Sequence, residues 1–268
     1  MKRILGHVVS ALAAGMVVSA LVPACATNDQ SIFVQGVVAP PMARTGGVCL
    51  YTPDPEVASL FVGNVDIGIT DSYTGVLLVG NQLSPRGDTL NNRAESNRVH
   101  LNGGIVRVTE ADGTPIREFT SFSTGFANPA PNNAAEYGLV GLVLLDAPTK
   151  EILIQQKGPD GMQLLGTRGV TKTVLINVKV FGTSLGGTEV ESGEFQFPTQ
   201  VCNGCLVDFS AGNEETAPTQ PNCLKPVTTT GGAATTILPC RAGQDEVTPC
   251  SLCKGKRNSD GRMPCDGL

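Results

Sequence analysis

The sequence predicts an all-β protein: an immunoglobulin-like or Greek-key antiparallel β-sandwich followed by an irregular, disulfide-rich C-terminal region. Four observations carry this expectation. After residue 24 no stretch sustains a 3.6-residue apolar period, whereas short apolar runs recur between Gly, Pro, Asn and Asp. The 32 glycines and 18 prolines among 268 residues are rich in turn formers yet fall short of the roughly 25–30% that marks low-complexity chains. With 41% apolar residues there is enough material for a core. Finally, seven of the nine cysteines crowd into residues 202–268, where the long apolar runs stop.

The elements follow in order. Ile32, Val34 and Val38 alternate and place one face of a first strand inward, near 31–39. Further runs lie near 47–52 and 59–70. Val76 to Val79, within 73–81, and Leu139 to Leu145, within 137–146, are nearly continuous apolar runs and read as central strands covered on both faces. Between Val99 and Thr109 the apolar phase flips from odd positions (Val99, Leu101) to even ones (Val106, Val108) across Gly103-Gly104. A phase flip at a glycine pair predicts a β-bulge. Asp112-Gly113 then supplies a turn before Ile116 to Phe122, so 98–124 reads as a hairpin. Pro148 to Lys157 is the best helix candidate, with Asp146 as cap, although Ile152 and Leu153 suit a strand equally. Val174, Ile176, Val178 and Val180 alternate with Leu175, Asn177, Lys179 and Phe181 in a half-buried strand within 171–182, and a last run spans 188–198. The spacing of these runs suits a sandwich of eight or nine strands, with residues 31–198 as the β domain and 199–268 as the Cys-rich region.

The N-terminus reads as an address. Lys2 and Arg3 precede an apolar stretch from Ile4 to Leu21, and Val22-Pro23-Ala24-Cys25 follows with small residues at the cut. This resembles the lipobox of bacterial lipoproteins, with Val22 three places before the cysteine and Ala24 immediately before it. Pro23 departs from the usual small residue there. The resemblance implies a signal peptide over 1–24, lipidation of Cys25, a short linker over 25–30 and attachment to the membrane through the N-terminal lipid. Ala26, where an Asp would mark retention in the inner membrane, favours the outer membrane in the same family. The mature chain keeps 17 basic residues against 24 acidic ones, a net charge of −7. That balance gives no footprint for nucleic acid and no polybasic attraction to anionic lipid.

With Cys25 given to lipid, eight cysteines remain: Cys49, Cys202, Cys205, Cys223, Cys240, Cys250, Cys253 and Cys265. An even number in an exported chain implies structural disulfides whose pairing the sequence leaves open. Seven of the eight lie in the tail, so complete oxidation requires Cys49 to pair with one of them. Two C-x-x-C spacings, Cys202 to Cys205 and Cys250 to Cys253, also admit zinc or redox readings. Thiols kept for zinc are exposed to oxidation outside the cytosol. A thioredoxin-type pair wants its first cysteine at a helix N-terminus, which the β context does not offer.

Catalytic patterns fail on their partners, and no catalytic residue or cofactor is expected. Gly182-Thr183-Ser184-Leu185-Gly186 matches G-x-S-x-G, but no His follows it, and His100 is the only histidine after residue 24. A strand-connecting turn is expected instead. Ser251-Leu252-Cys253-Lys254 matches S-x-x-K in a region without helical pattern. His100, between Val99 and Leu101, should point to the more polar face. Asp66, Asp71, Glu110 and Glu118 lie in strands where half of the positions face water. Asn258-Ser259-Asp260-Gly261 is a fragment of a calcium loop, with Asp260 and Asp266 the residues to test, but it lacks the first Asp and distant Glu of that motif. With no Trp and only Tyr51, Tyr73 and Tyr137 as tyrosines, a sugar-binding platform is disfavoured. Tyr73 suits a corner or core position.

The layout is similar to bacterial envelope lipoproteins with a β-sandwich and a Cys-rich tail. It implies a non-enzymatic role, structural or binding an envelope protein or surface polymer. The alternatives are an envelope enzyme or thiol-redox protein without a recognisable motif, and a calcium-dependent adhesion module.

Overall fold

Apolar side chains from strands spread along the chain meet in one core, and the order in which those strands pair explains how. The structure, a computed structural model, describes residues 31–42, 48–88, 93–131, 134–158, 161–166, 169–208 and 239–249. In chain order the strands are β1 (Ile32–Val38), β2 (Ser59–Leu60), β3 (Gly63–Asp66), β4 (Tyr73–Asn81), β5 (Val99–Glu110), β6 (Pro115–Ala127), β7 (Glu136–Leu145), β8 (Thr171–Ser184), β9 (Glu189–Glu191), β10 (Phe195–Cys202), β11 (Val207–Asp208) and β12 (Thr248–Pro249). Helix α1 spans Ala147–Gln155.

The smaller sheet has the order β2-β1-β4-β7, and the larger one β3-β10-β8-β5-β6, with β9 paired to β8. Leu77, Val79, Val140, Leu142 and Leu144 of the first sheet share a buried cluster with Val106, Val108, Ile176, Val178 and Phe197 of the second. The fold is therefore an all-β sandwich. Placing β1-β4-β7 against β10-β8-β5-β6 is similar to the immunoglobulin arrangement, except that the fourth main strand, β6, pairs with the third, β5, instead of joining the first, second and fifth. Most ladders are antiparallel, but β3 runs parallel to β10, and β11 runs parallel to β12 in a separate two-stranded sheet.

Several elements sit where the sequence pattern puts them. The register of β5 shifts between Leu101 and Gly103 against both β6 and β8. A Cβ on Gly103 would stand 2.4 Å from the Ser121 carbonyl oxygen, so glycine is required at this bulge. Helix α1 begins at Asp146, whose Oδ1 accepts the Thr149 N–H at 2.9 Å, with Pro148 in the first turn where no N–H is missed. The alternation in β8 buries Val174, Ile176, Val178 and Val180 completely.

Other expectations need correction. No strand forms over 48–52; Val48 and Leu50 are exposed, and the segment is tied instead by a Cys49–Cys240 disulfide. The run 59–70 divides into β2 and β3, one in each sheet, so the chain changes layer across Phe61-Val62. The run 188–198 is broken at Ser192, whose Oγ accepts the Val180 N–H while its own N–H donates to the Val180 carbonyl. The expected change of character near residue 199 falls inside β10, which continues to the fully buried Cys202.

The apolar run Leu139 to Leu145 belongs to a terminal strand, since among the described residues β7 pairs with β4 alone. Its free edge leans on β6 of the other sheet. The Val143 N–H donates to Ser121 Oγ at 2.9 Å, and a Cβ on Gly138 would come within 2.0 Å of the Phe126 carbonyl oxygen. That close approach shields the edge from pairing with another chain.

Candidate functional site

The sandwich has two ends. At one end β4 finishes, β5 starts and β8 finishes, joined by the pairs Ile32 with Asn81 and Val99 with Ser184. At the other, β4 starts at Tyr73, β8 starts at Thr171 and β10 finishes at Cys202. Polar chemistry concentrates at the second end, and exposed aromatic surface concentrates on the outer face of the larger sheet toward the first.

At the second end the segment 239–249 closes over β3. Asp66 N–H donates to the Gly243 carbonyl at 2.9 Å and Asp245 N–H to the Asn64 carbonyl at 2.9 Å, so the segment adds a short run of ladder bonds to an otherwise open edge. The buried Gln244 bridges the Thr74 N–H and the Ser72 carbonyl at 3.0 and 2.7 Å. Asp245, in the left-handed region with φ of 57°, accepts the Asn64 N–H at 2.8 Å and the Tyr73 hydroxyl at 2.9 Å. Burial pushes the Asp245 carboxyl up to about 6, against the two hydrogen bonds that pull it down, and Glu246 adds to the rise. Burial, and then the neighbouring Asp245 charge, hold the Tyr73 hydroxyl well above its ordinary range. Tyr73 is thus a core tyrosine with its polar tip spent on the capping segment.

Asp66 does not face water. It is fully buried at the end of β3, and its carboxylate accepts the N–H groups of Gly68, Gly204 and Leu206 at 3.0, 2.8 and 2.9 Å. Two of those amides flank Cys205, so the carboxylate pins the C-x-x-C loop from beneath. Cys202 and Cys205 are bonded to each other. The ligand atoms of Asp66, Cys202 and Cys205 lie within 4.8 Å of one another, but sulfurs joined in a disulfide are not metal ligands. The other carboxylates considered above serve ion pairs or stay on the surface: Asp71 pairs with the buried Lys150 of α1, Glu110 pairs with Lys172 at 2.8 Å, and Glu118 is exposed opposite Arg107. The partner of Cys49 is Cys240, so the early loop is stapled to the capping segment. Cys25, Cys223, Cys250, Cys253, Cys265, Ser251, Asp260 and Asp266 lie outside the described residues.

Ser184 is a turn residue. It is buried, and its Oγ accepts the Thr188 N–H at 3.1 Å where β8 turns into β9. His100 lies on the outer face of the larger sheet, its Nε2 2.9 Å from Thr124 Oγ1 and its ring stacked on Phe126 at 4.7 Å. The Arg98 guanidinium also packs against that Phe126 ring, 4.4 Å from its centre. Alongside, Phe122 meets Phe181 edge-on at 6.3 Å. Phe122 is 80% exposed, Phe126 46% and Ile105 37%. Further along the same face a groove of about 400 Å³ is lined by Arg107, Leu175, Asn177, Glu194 and Gln196, among others, with a two-pronged Arg107–Glu194 ion pair at 2.9–3.0 Å. Period-two reasoning placed His100 outward but did not reveal the aromatic cluster. Its signal was the outward phase shared by Phe122 and Phe126 on β6.

No family of known proteins matches the chain, and no curated protein matches it. No helix among the described residues is long and apolar enough to cross a membrane.

Proposed function

We propose that the chain is a lipid-anchored cell-envelope protein, held through Cys25 and most simply in the outer membrane, whose role is to hold a partner protein against the outer face of its larger sheet. The exposed Phe122, Phe126 and Ile105 of that face, with Arg98 and His100 packed on Phe126, carry this reading. Aromatic and Arg side chains are the residue types that anchor protein interfaces. The polar groove beyond supplies amide and charged groups suited to a rim.

The anchor supports the same reading. Ile32 lies seven positions after Cys25, and an extended chain spans at most ~3.6 Å per position, about 25 Å in all. A lipidated Cys25 would therefore keep the β5-start end of the sandwich, with Arg98, His100 and Phe126, close to the membrane. Tethering raises the effective concentration of a partner on that surface, so modest affinity suffices.

A photo-crosslinking amino acid at position 122 of the lipidated protein, in intact cells, tests the proposal. One discrete adduct is expected, absent when the probe sits at exposed Glu151 on α1. Equal or no crosslinking from both positions would remove the basis for it.

A further inference from the structure

The C-x-x-C pair at the end of β10 combines three features. Its sulfurs are unequal in access, Cys202 being fully buried and Cys205 exposed. Its loop is held without the disulfide: Asp66 takes the Gly204 and Leu206 amides, the Asn203 carbonyl accepts the Gly169 N–H at 2.9 Å, and Asn203 Nδ2 donates to the Leu165 carbonyl at 3.1 Å. Cys202 Sγ lies 3.5 Å from the Val65 carbonyl oxygen, an acceptor ready for its thiol proton.

We propose that Cys202–Cys205 is a thiol–disulfide exchange site, with Cys205 the sulfur that meets a thiol of a partner protein and Cys202 the buried resolving sulfur. A partner thiolate attacks Cys205 Sγ and forms a mixed disulfide. The Cys202–Cys205 bond breaks, its electron pair leaves on Cys202 Sγ, and that sulfur takes up a proton from solvent and donates it to the Val65 carbonyl. A second partner thiol, losing its proton to solvent, attacks the partner sulfur of the mixed disulfide and releases Cys205 as a thiolate, which is protonated. The partner leaves with a new disulfide, oxidised by two electrons, and this chain holds two thiols. The same steps in reverse reduce a partner disulfide.

Among the described residues no helix N-terminus lies at this loop to favour a thiolate, so exchange rests on access to Cys205 and on a loop that keeps its shape when the bond opens. The site is at the sandwich end opposite Ile32, and the proposal stands apart from the reading of the aromatic face.

The full chain, equilibrated in graded mixtures of reduced and oxidised glutathione and alkylated for mass spectrometry, tests this. Cys202 and Cys205 should open and close together and reversibly, with Cys49–Cys240 intact and the melting temperature moved by only a few degrees. In Cys202→Ser, whose hydroxyl can still donate to Val65, oxidised glutathione should add stoichiometrically at Cys205. Cys205→Ser should take up none at Cys202. The proposal is overturned if the pair opens only when Cys49–Cys240 is reduced and the chain unfolds. It is equally overturned if the reduced pair retains zinc that blocks alkylation until a chelator is added. Should Cys202→Ser fail to fold, the titration of the parent chain decides alone.

Discussion

The capped end of the sandwich and the outer face of its larger sheet are built on opposite plans. At the capped end Asp66, Gln244 and Asp245 are spent on backbone amides, carbonyls and Tyr73, and a disulfide ties the covering segment to residue 49. On the outer face Phe122, Phe126 and Ile105 remain exposed although β5 is paired on both sides and β6 is paired along its length with β5. The contrast separates two uses of side chains. One end uses buried polar groups to fix a long-range closure, whereas the face leaves apolar surface over a scaffold that needs nothing from it.

The largest expected effect breaks the closure. Cys49–Cys240 spans 191 residues, while Cys202–Cys205 spans three. In the loop-entropy account the first is worth about 5 kcal/mol and the second about 2, the former an upper figure because denatured chains are not random. Cys49→Ser should therefore lower the unfolding free energy by several kcal/mol, read from the urea midpoint under non-reducing conditions. A loss below about 1 kcal/mol would mean that the hydrogen bonds of Gly243, Gln244 and Asp245 hold the segment by themselves.

A smaller effect tests the polar groups within the same closure. Asp245 titrates near 6 in the folded protein against an ordinary value of 3.8, so the folded state binds its proton more tightly than the unfolded state does. The stability linked to that proton is fully present below about pH 4 and is lost as pH rises through 6, a change of about 2–3 kcal/mol. Asp245→Asn keeps an acceptor for the Asn64 N–H and removes the titration. Its unfolding free energy should change less than the parent's between pH 4 and pH 7. Equal slopes in the two proteins would assign the pH dependence to other groups.

Local features were legible in the sequence, and pairings between distant segments were not. The Asp146 cap, the bulge at Gly103 and the alternation of β8 each depend on residues within a few positions of one another. The parallel ladder of β3 with β10 joins segments some 136 residues apart, and neither strand carries a sign of its neighbour. The same holds for residues 243–245, whose docking on β3 no local pattern announces. Cysteine parity supplied one long-range constraint, since it named Cys49 as the link to the tail, though not Cys240 as its partner. Asp66 escaped because period two tells which face a residue takes, not whether later loops will cover it. Phe122 escaped for the converse reason: it lies on a face that nothing in the chain's described part comes to cover.

That last residue gives the smallest effect on stability and the sharpest separation between the two plans. Phe122 meets Phe181 edge-on and is largely exposed, so Phe122→Ser should change the unfolding free energy by no more than about 0.5 kcal/mol. The crosslinked adduct, now reported by a probe at exposed Thr120 on the same strand, should fall at least tenfold in this variant. Such a fold-change corresponds to roughly 1.4 kcal/mol of binding, a modest value for an aromatic anchor. A variant that lost stability by 2 kcal/mol or more would show that the aromatic cluster braces the sheet, and the face would then belong with the capped end as structure. Unchanged stability together with an unchanged adduct would leave the partner on this face but remove Phe122 as its anchor, since an anchor residue cannot be removed from an interface without loosening it.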